Sequence, residues 1–153
     1  MRVSDTIYLD HQASTPVDAR VINEMAPYHS VDFANPHSSG HSGGWKAASA
    51  VDSSAEDVAA LIGADRDEIV FTSGATEANN LALLGFGRGN YEGNRRRVLV
   101  GSTEHKCVLE AARTLGTQNG FVVEEIPVDQ NGLVDLNFLR DSMAEDVLLV
   151  SVG

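Results

Sequence analysis

Two short stretches of this chain carry most of its chemistry: Thr72-Ser73-Gly74-Ala75-Thr76 and Thr103-Glu104-His105-Lys106. Before the first, Ile69-Val70-Phe71 has the length and the β-branched, aromatic composition of a strand; after it, Glu77–Leu83 has the composition of a helix. A strand–turn–helix corner presents unpaired backbone N–H groups and the positive end of the helix dipole, a combination that binds an anion, most often a phosphate. Gly74 lets backbone approach a ligand, and the Ser73 and Thr76 hydroxyls can add hydrogen bonds. The same residues also suit a capped helix start with no ligand, so both readings stand. His105 offers an acid–base nitrogen, although a helix-start histidine satisfied by a neighbour is its plain reading. His37 and His41 lie four apart, but the glycines around them preclude a helix and no acidic or cysteine partner stands at ligand spacing, so a metal pair is rejected.

The elements that must position these residues follow from periodicity. Ile7-Tyr8-Leu9 reads as a brief strand, and Val17–Tyr28 as a helix with Pro16 before or at its first turn. His29–Gly44 is a long Ser, Gly and His loop, expected to be a polar lid or subunit contact. In the helix Trp45–Ile62, the positions Trp45, Ala48, Val51, Ala55, Val58, Ala59 and Ile62 form one apolar stripe assigned to core packing, and Gly63 stops it. The helix Glu77–Phe86 runs out in the loop Gly87–Asn94. Val98-Leu99-Val100 is a strand, and Ser102 or Thr103 caps a helix through Val108, Leu109, Ala112 and Leu115. A strand opens at Phe121, a turn falls at Asp129–Gly132, Leu136, Leu139 and Met143 have helical spacing, and Val147–Val152 is a last strand. From Ile69 onward the order is β-α-β-α-β-α-β, which predicts an α/β fold with a mostly parallel sheet flanked by helices. Ligands of such sheets sit beyond the carboxyl ends of the strands, where Gly74–Thr76 and Thr103–His105 are both expected, on consecutive strands.

Composition narrows the classes. A chain of 153 residues with 42% hydrophobic content is large and apolar enough for a core of its own. Its net charge of −11 argues against binding a phosphate backbone, and Arg95-Arg96-Arg97 reads as a solvated loop before a strand, so no nucleic-acid partner is expected. No apolar stretch approaches the roughly 18 residues of a membrane span. Met1–Asp10 shows no signal-peptide pattern, and a lone cysteine, which cannot form an internal disulfide, fits a reducing compartment; a cytoplasmic location and no membrane partner are expected.

Four stretches, in order and spacing, resemble a known family: Tyr8-Leu9-Asp10-His11-Gln12-Ala13-Ser14-Thr15-Pro16, Asn35-Pro36-His37-Ser38, Glu68–Leu83, and Thr103-Glu104-His105-Lys106. Together they resemble the N-terminal portion of a cysteine desulfurase, a pyridoxal-phosphate enzyme of the class V aminotransferase group. The resemblance implies part of a fold-type I large domain over residues 17–153, preceded by an N-terminal segment, residues 1–16. It implies that Ala75 and Thr76 hold the phosphate of pyridoxal 5'-phosphate. It also implies that His105 stacks on the cofactor ring as a catalytic residue that moves protons, and that Asp10–Thr15 lies near the substrate. The implied reaction converts L-cysteine to L-alanine and leaves an enzyme-bound persulfide for sulfur transfer and iron–sulfur cluster assembly, with a sulfur-acceptor protein as partner.

The same resemblance puts the cofactor-bonding lysine, the aspartate that pairs with the pyridine nitrogen and the nucleophilic cysteine downstream of these segments. Lys46 and Lys106 match no such lysine, and Cys107, the one cysteine, reads as a small packing residue. A chain with the phosphate cradle and the stacking histidine alone is expected to be inactive by itself. It would be one piece of a split enzyme or a shortened product, and a homo-oligomer or the partner of a complementing C-terminal-half polypeptide, since an apolar edge at Val147–Val152 invites association. A non-catalytic subunit-interaction or phosphate-ligand module of the same fold is the rival. A selenocysteine lyase or another class V aminotransferase is the enzymatic alternative.

Overall fold

The computed structural model describes residues 2–3, 6–90 and 92–153. Residues 1, 4 and 5 of the expected N-terminal segment, and Tyr91 in the expected loop Gly87–Asn94, lie outside the described residues. The chain packs as two units, Met1–Val70 and Phe71–Gly153.

In the first unit, β1 (Arg2–Val3) and β2 (Thr6–Ile7) pair antiparallel. Helix α1 (Ala19–Met25) is shorter than its apolar spacing suggested, and its last residues run into a 3-10 turn, Ala26–His29. Asp18 caps α1, accepting from the Arg20 amide at 2.8 Å, and Pro27 cannot supply the N–H that a further α-helical turn needs. Helix α2 (Ser42–Ile62) starts three residues before Trp45, because the His41 ring caps it: Nδ1 accepts from the Gly44 amide at 3.1 Å. Gly63, in the left-handed region at φ 71°, ends α2 as expected. The loop before α2 is pinned to it. Lys46 Nζ donates to both carboxylate oxygens of Asp32 at 2.7 Å, Trp45 Nε1 donates to the Ser39 carbonyl at 2.6 Å, and Asn35 Oδ1 accepts from the His37 amide at 2.9 Å.

The apolar stripe of α2 is not the core packing that its periodicity suggested. Gly44, Ala47, Ala55 and Ala59 are the buried positions, whereas Trp45 and Ile62 stay more than 60% exposed. Close packing against backbone selects the small side chains, and the large ones of the stripe lie on exposed surface.

The second unit contains a three-stranded parallel sheet in the order β4–β3–β5, built from β3 (Arg97–Gly101), β4 (Val122–Ile126) and β5 (Val147–Ser151). Parallel neighbours require crossover connections. Here α5 (Lys106–Asn119) leads from β3 to β4, and α6 (Leu136–Ser142) leads from β4 to β5. The central strand β3 is apolar without alternation because both its faces are covered. Val98 and Val100 join Val108, Ala111, Ala112 and Leu115 of α5, with Leu83 and Phe121, in one cluster. Leu99 points the other way and packs with Ile126 and Val147, against Phe138 and Leu139 of α6. Side chains such as Leu99 and Leu115, at most 1% exposed, each stabilise by about 1.5–3 kcal/mol through burial.

Two further expectations fail. Ile69–Phe71 is extended, with Ile69 at φ −94° and ψ 123°, but it pairs with no strand among the described residues, and Val70 is 66% exposed. Strand composition supplies the backbone shape; a ladder needs a partner as well. Of the three arginines only Arg95 is the exposed loop residue expected; Arg96 and Arg97 are not solvated. Arg96 lies 4.3 Å over the Phe121 ring and donates to the Asn119 carbonyl at 2.6 Å. Arg97 is clamped between Glu124 and Asp146, which hold its guanidinium protonated beyond any working pH. It also reaches the Ser142 carbonyl at 3.1 Å, so one side chain on β3 ties the middle of β4 to the end of α6 and the residue before β5.

Candidate functional site

The first half of the site is the corner at Gly74. Ser73 and Gly74 form a bend, and helix α3 (Ala75–Asn80) begins immediately after them. Gly74 has φ 156° and ψ 179°, a conformation essentially reserved for glycine. A Cβ built there would meet nothing within 4 Å, so it is the backbone angle and not lack of room that calls for glycine. Three hydrogen bonds fix this geometry: Thr72 Oγ1 to the Gly74 carbonyl at 3.2 Å, the Ala78 amide to the same oxygen at 3.1 Å, and the Ser73 amide to Glu77 Oε2 at 2.6 Å. The Ser73 hydroxyl first, and then this amide bond, hold the Glu77 carboxyl below its ordinary range. No side chain caps the helix at Gly74, and Ala75 and Thr76 are exposed on its first turn.

The helix does not end at Asn80. It passes through a π-helical turn, Leu81–Gly85, into α4 (Phe86–Gly89), so the expected helix over Glu77–Phe86 forms and the expected loop starts later, at Asn90. The wider turn brings Leu83 into the cluster with Leu115.

The second half lies beyond the carboxyl end of β3. Neither Ser102 nor Thr103 caps α5; His105 does, with Nδ1 accepting from the Cys107 amide at 3.3 Å. Glu104, just before it, accepts from Ser151 Oγ at 2.9 Å, which ties this loop to the end of β5. The Ser102 amide donates to the Ile126 carbonyl at 3.0 Å, which ties it to β4 as well.

The two halves meet through α3 and α5. Asn79 Nδ2 donates to Cys107 Sγ at 3.3 Å, and His105 Nδ1 lies 3.0 Å from the same sulfur. The Asn79 amide first, then His105, then more weakly Thr76, push the Cys107 thiol below its ordinary 9.0. Of the residues singled out from sequence, His105 is therefore joined through one sulfur to Asn79 of α3, the helix whose first turn carries Ala75 and Thr76. Their meeting place differs from the expectation of two consecutive paired strands: His105 follows a paired strand, whereas the Gly74 corner follows an unpaired segment. Sequence reasoning missed Glu77, Asn79 and Glu104. Glu77 carried a signal, an acidic residue at the third helical position reaching back to an amide ahead of the helix; Asn79 carried none, because its partner is 28 residues away. Among the described residues no group of three or more His, Cys, Asp or Glu is placed to hold a metal ion.

This fold and corner belong to a known class. The profile of the class-V aminotransferases matches residues 7–153, so the chain belongs to that family. What it resembles most specifically is the N-terminal portion of a cysteine desulfurase. It is 47% identical over 146 residues to the cysteine desulfurase IscS of Rickettsia massiliae, and 47% identical over 147 residues to that of Rickettsia bellii. Each alignment covers 95% of this chain and 35% of the relative, so the chain spans about a third of the length of these relatives. Among solved structures it is similar to a NifS-like protein (TM-score 0.80, 37% identity, 90% of this chain and 37% of that one). It is also similar to SspA in complex with cysteine (TM-score 0.83, 36% identity, 95% and 41%). The expected partial fold-type I architecture is thus the observed one.

Proposed function

We propose that this chain carries the cofactor-phosphate cradle and the ring-stacking histidine of a pyridoxal-phosphate-dependent cysteine desulfurase. The carrying observation is the convergence of the first turn of α3 and the start of α5, which brings Thr76 and His105 to one place. The residues fit the cofactor. The turn at Ala75 and Thr76 has no side-chain cap and is exposed, and the space beside Gly74 is open. The positive end of the helix faces it. Ala75 and Thr76 would donate backbone N–H groups to the phosphate, with the Thr76 hydroxyl as a further donor. His105 would lie against the ring and carry a proton toward the substrate carbon. When bound, pyridoxal phosphate supplies the electron sink for the bonds of an amino-acid substrate. Cysteine as the substrate is supported by the similarity to cysteine desulfurases; L-alanine as product, and a persulfide for a sulfur-acceptor protein and iron–sulfur assembly, are what the family resemblance implies.

Neither Lys46 nor Lys106 stands in a segment matching the family's cofactor lysine, and Cys107 is held by His105 and Asn79 at a helix start. We therefore read these 153 residues as incompetent for turnover by themselves and as partnered, with a second copy or with a polypeptide carrying the downstream half. No helix among the described residues is long and apolar enough to cross a membrane.

The test is an absorbance titration of the chain with pyridoxal phosphate, followed by borohydride treatment. Saturable binding without covalent retention of the cofactor supports the reading. Covalent retention on Lys46 or Lys106 overturns the claim of incompetence, and absence of binding overturns the cradle. Light scattering at micromolar concentration that finds a monodisperse monomer would refute self-association.

A further inference from the structure

His105 is held from one side by the residue two positions on. The Cys107 backbone N–H can only donate, so the nitrogen 3.3 Å from it, Nδ1, presents its lone pair. The Cys107 side chain faces the same nitrogen at 3.0 Å. Its sulfur in turn accepts from the Asn79 amide, an N–H that cannot be turned into an acceptor, so the thiol proton is directed away from Asn79 and toward His105. With Nδ1 accepting from both the Cys107 N–H and the thiol, the ring proton sits on Nε2. Asn79 belongs to α3 and Cys107 to α5, so the packing of these two helices sets the direction of the sulfur, which would otherwise turn about its Cα–Cβ bond.

We propose that Asn79 and Cys107 are positioning residues for His105, fixing its ring with Nε2 as the proton-bearing nitrogen. The value of this to catalysis rests on the cofactor reading above, but the protonation pattern is a property of the chain alone. A ring held in this way would meet a cofactor or substrate with a donor already in place, without first choosing between two tautomers.

The experiment is long-range proton–nitrogen NMR on the chain labelled with ¹⁵N-histidine, with no cofactor, at neutral pH. The His105→Asn variant identifies the His105 signals among those of the five histidines. The expected native pattern has Nε2 protonated and Nδ1 shifted by its contact with Cys107, distinct from that of a ring averaging between its two tautomers. Cys107→Ser, which keeps a hydroxyl donor, preserves it. Cys107→Ala removes the 3.0 Å sulfur contact and Asn79→Leu frees its direction, each leaving only the longer 3.3 Å backbone contact in place, so each moves His105 part of the way toward the averaged pattern. Should Asn79→Leu fail to give a dispersed amide spectrum, Asn79→Asp removes the donor at nearly constant size. A native His105 with Nε2 unprotonated or with tautomers already averaged overturns the proposal, as does a His105 pattern that none of the variants moves. Pyridoxal phosphate titration of the same samples separates the two ideas. Loss of the cofactor reading appears as no binding with the histidine pattern intact; loss of this one appears as binding with the pattern unmoved.

Discussion

Replacing Gly74 with alanine tests whether the corner is built or incidental. The residue sits at φ 156° and ψ 179°, where a Cβ is strained by its own backbone, and no neighbouring atom lies near enough to the new methyl to add a clash. The whole effect is therefore conformational, about 1–3 kcal/mol. The corner cannot relax without loss, because the bonds from Thr72 and Ala78 to the Gly74 carbonyl and from Ser73 to Glu77 bracket the residue on both sides. If they hold, the cost appears as lower stability in urea denaturation. If they yield, the first turn of α3 tilts and the cost appears in the cofactor titration, as a loss of about 5- to 150-fold in affinity. Gly89→Ala, at a glycine in the helical geometry of α4 with nothing within 4 Å of the added methyl, has no such strain and serves as the control for the same chemical change. A Gly74→Ala chain with both unchanged stability and unchanged cofactor affinity would refute the argument that the corner depends on this backbone angle.

Other perturbations reach other parts of the molecule. Leu99→Ala, at a fully buried position on the α6 side of the sheet, should lower unfolding free energy by about 2–5 kcal/mol in urea melts. Gly87→Ala would set a methyl 2.7 Å from a Leu115 methyl in the core and should destabilise by about 1–3 kcal/mol; adding Leu115→Ala should relieve that clash, so the two costs will not add. The alkylation rate of Cys107 by iodoacetamide should rise with pH around a midpoint below the ordinary thiol value of 9.0, and Asn79→Leu should move that midpoint up, since the Asn79 amide is the largest cause of the lowering. Asp129, whose carboxyl is lowered first by the Leu133 amide and then by the Asn131 amide, contributes stability that is full above its ordinary 3.8 and is lost as pH falls below that value. Thermal melts between pH 6 and pH 2.5 should show a shallower acid loss in Asp129→Asn, in the same direction as the linkage requires.

Local features were legible in the sequence and distant ones were not. Gly63, the Asp129–Gly132 turn and the helix through Val108, Ala112 and Leu115 are set by neighbouring residues, and each appears where the pattern put it. So does β3, whose unbroken apolar run suits a strand covered on both faces. What failed depended on partners elsewhere in the chain. Ile69–Phe71 has strand residues but pairs with no strand among the described residues, and the large residues of the α2 stripe are exposed. Arg96 and Arg97 looked like solvated charge because Phe121, Glu124 and Asp146 are 25 to 49 residues away. In the site, Gly74, Ala75, Thr76 and His105 could be picked from motif and spacing. The cap by His105 could not, since serine and threonine stood nearby as better cappers, and Asn79 showed itself only once α3 and α5 were seen to pack.

The strand order β4–β3–β5 also bears on how the chain acquires its structure during synthesis. The middle strand leaves the ribosome first, its β4 neighbour follows about 25 residues later, and β5 about 50 residues later. The cluster on the α5 side of β3 draws its buried members from residues 83–121, so it can close early, while the cluster around Leu99 must wait for Val147. For the time it takes to add those residues, at about 5–20 per second, one face of the nascent sheet stays open. That interval of a few seconds is when a chaperone, or a second nascent chain, would find Leu99 and Ile126 uncovered.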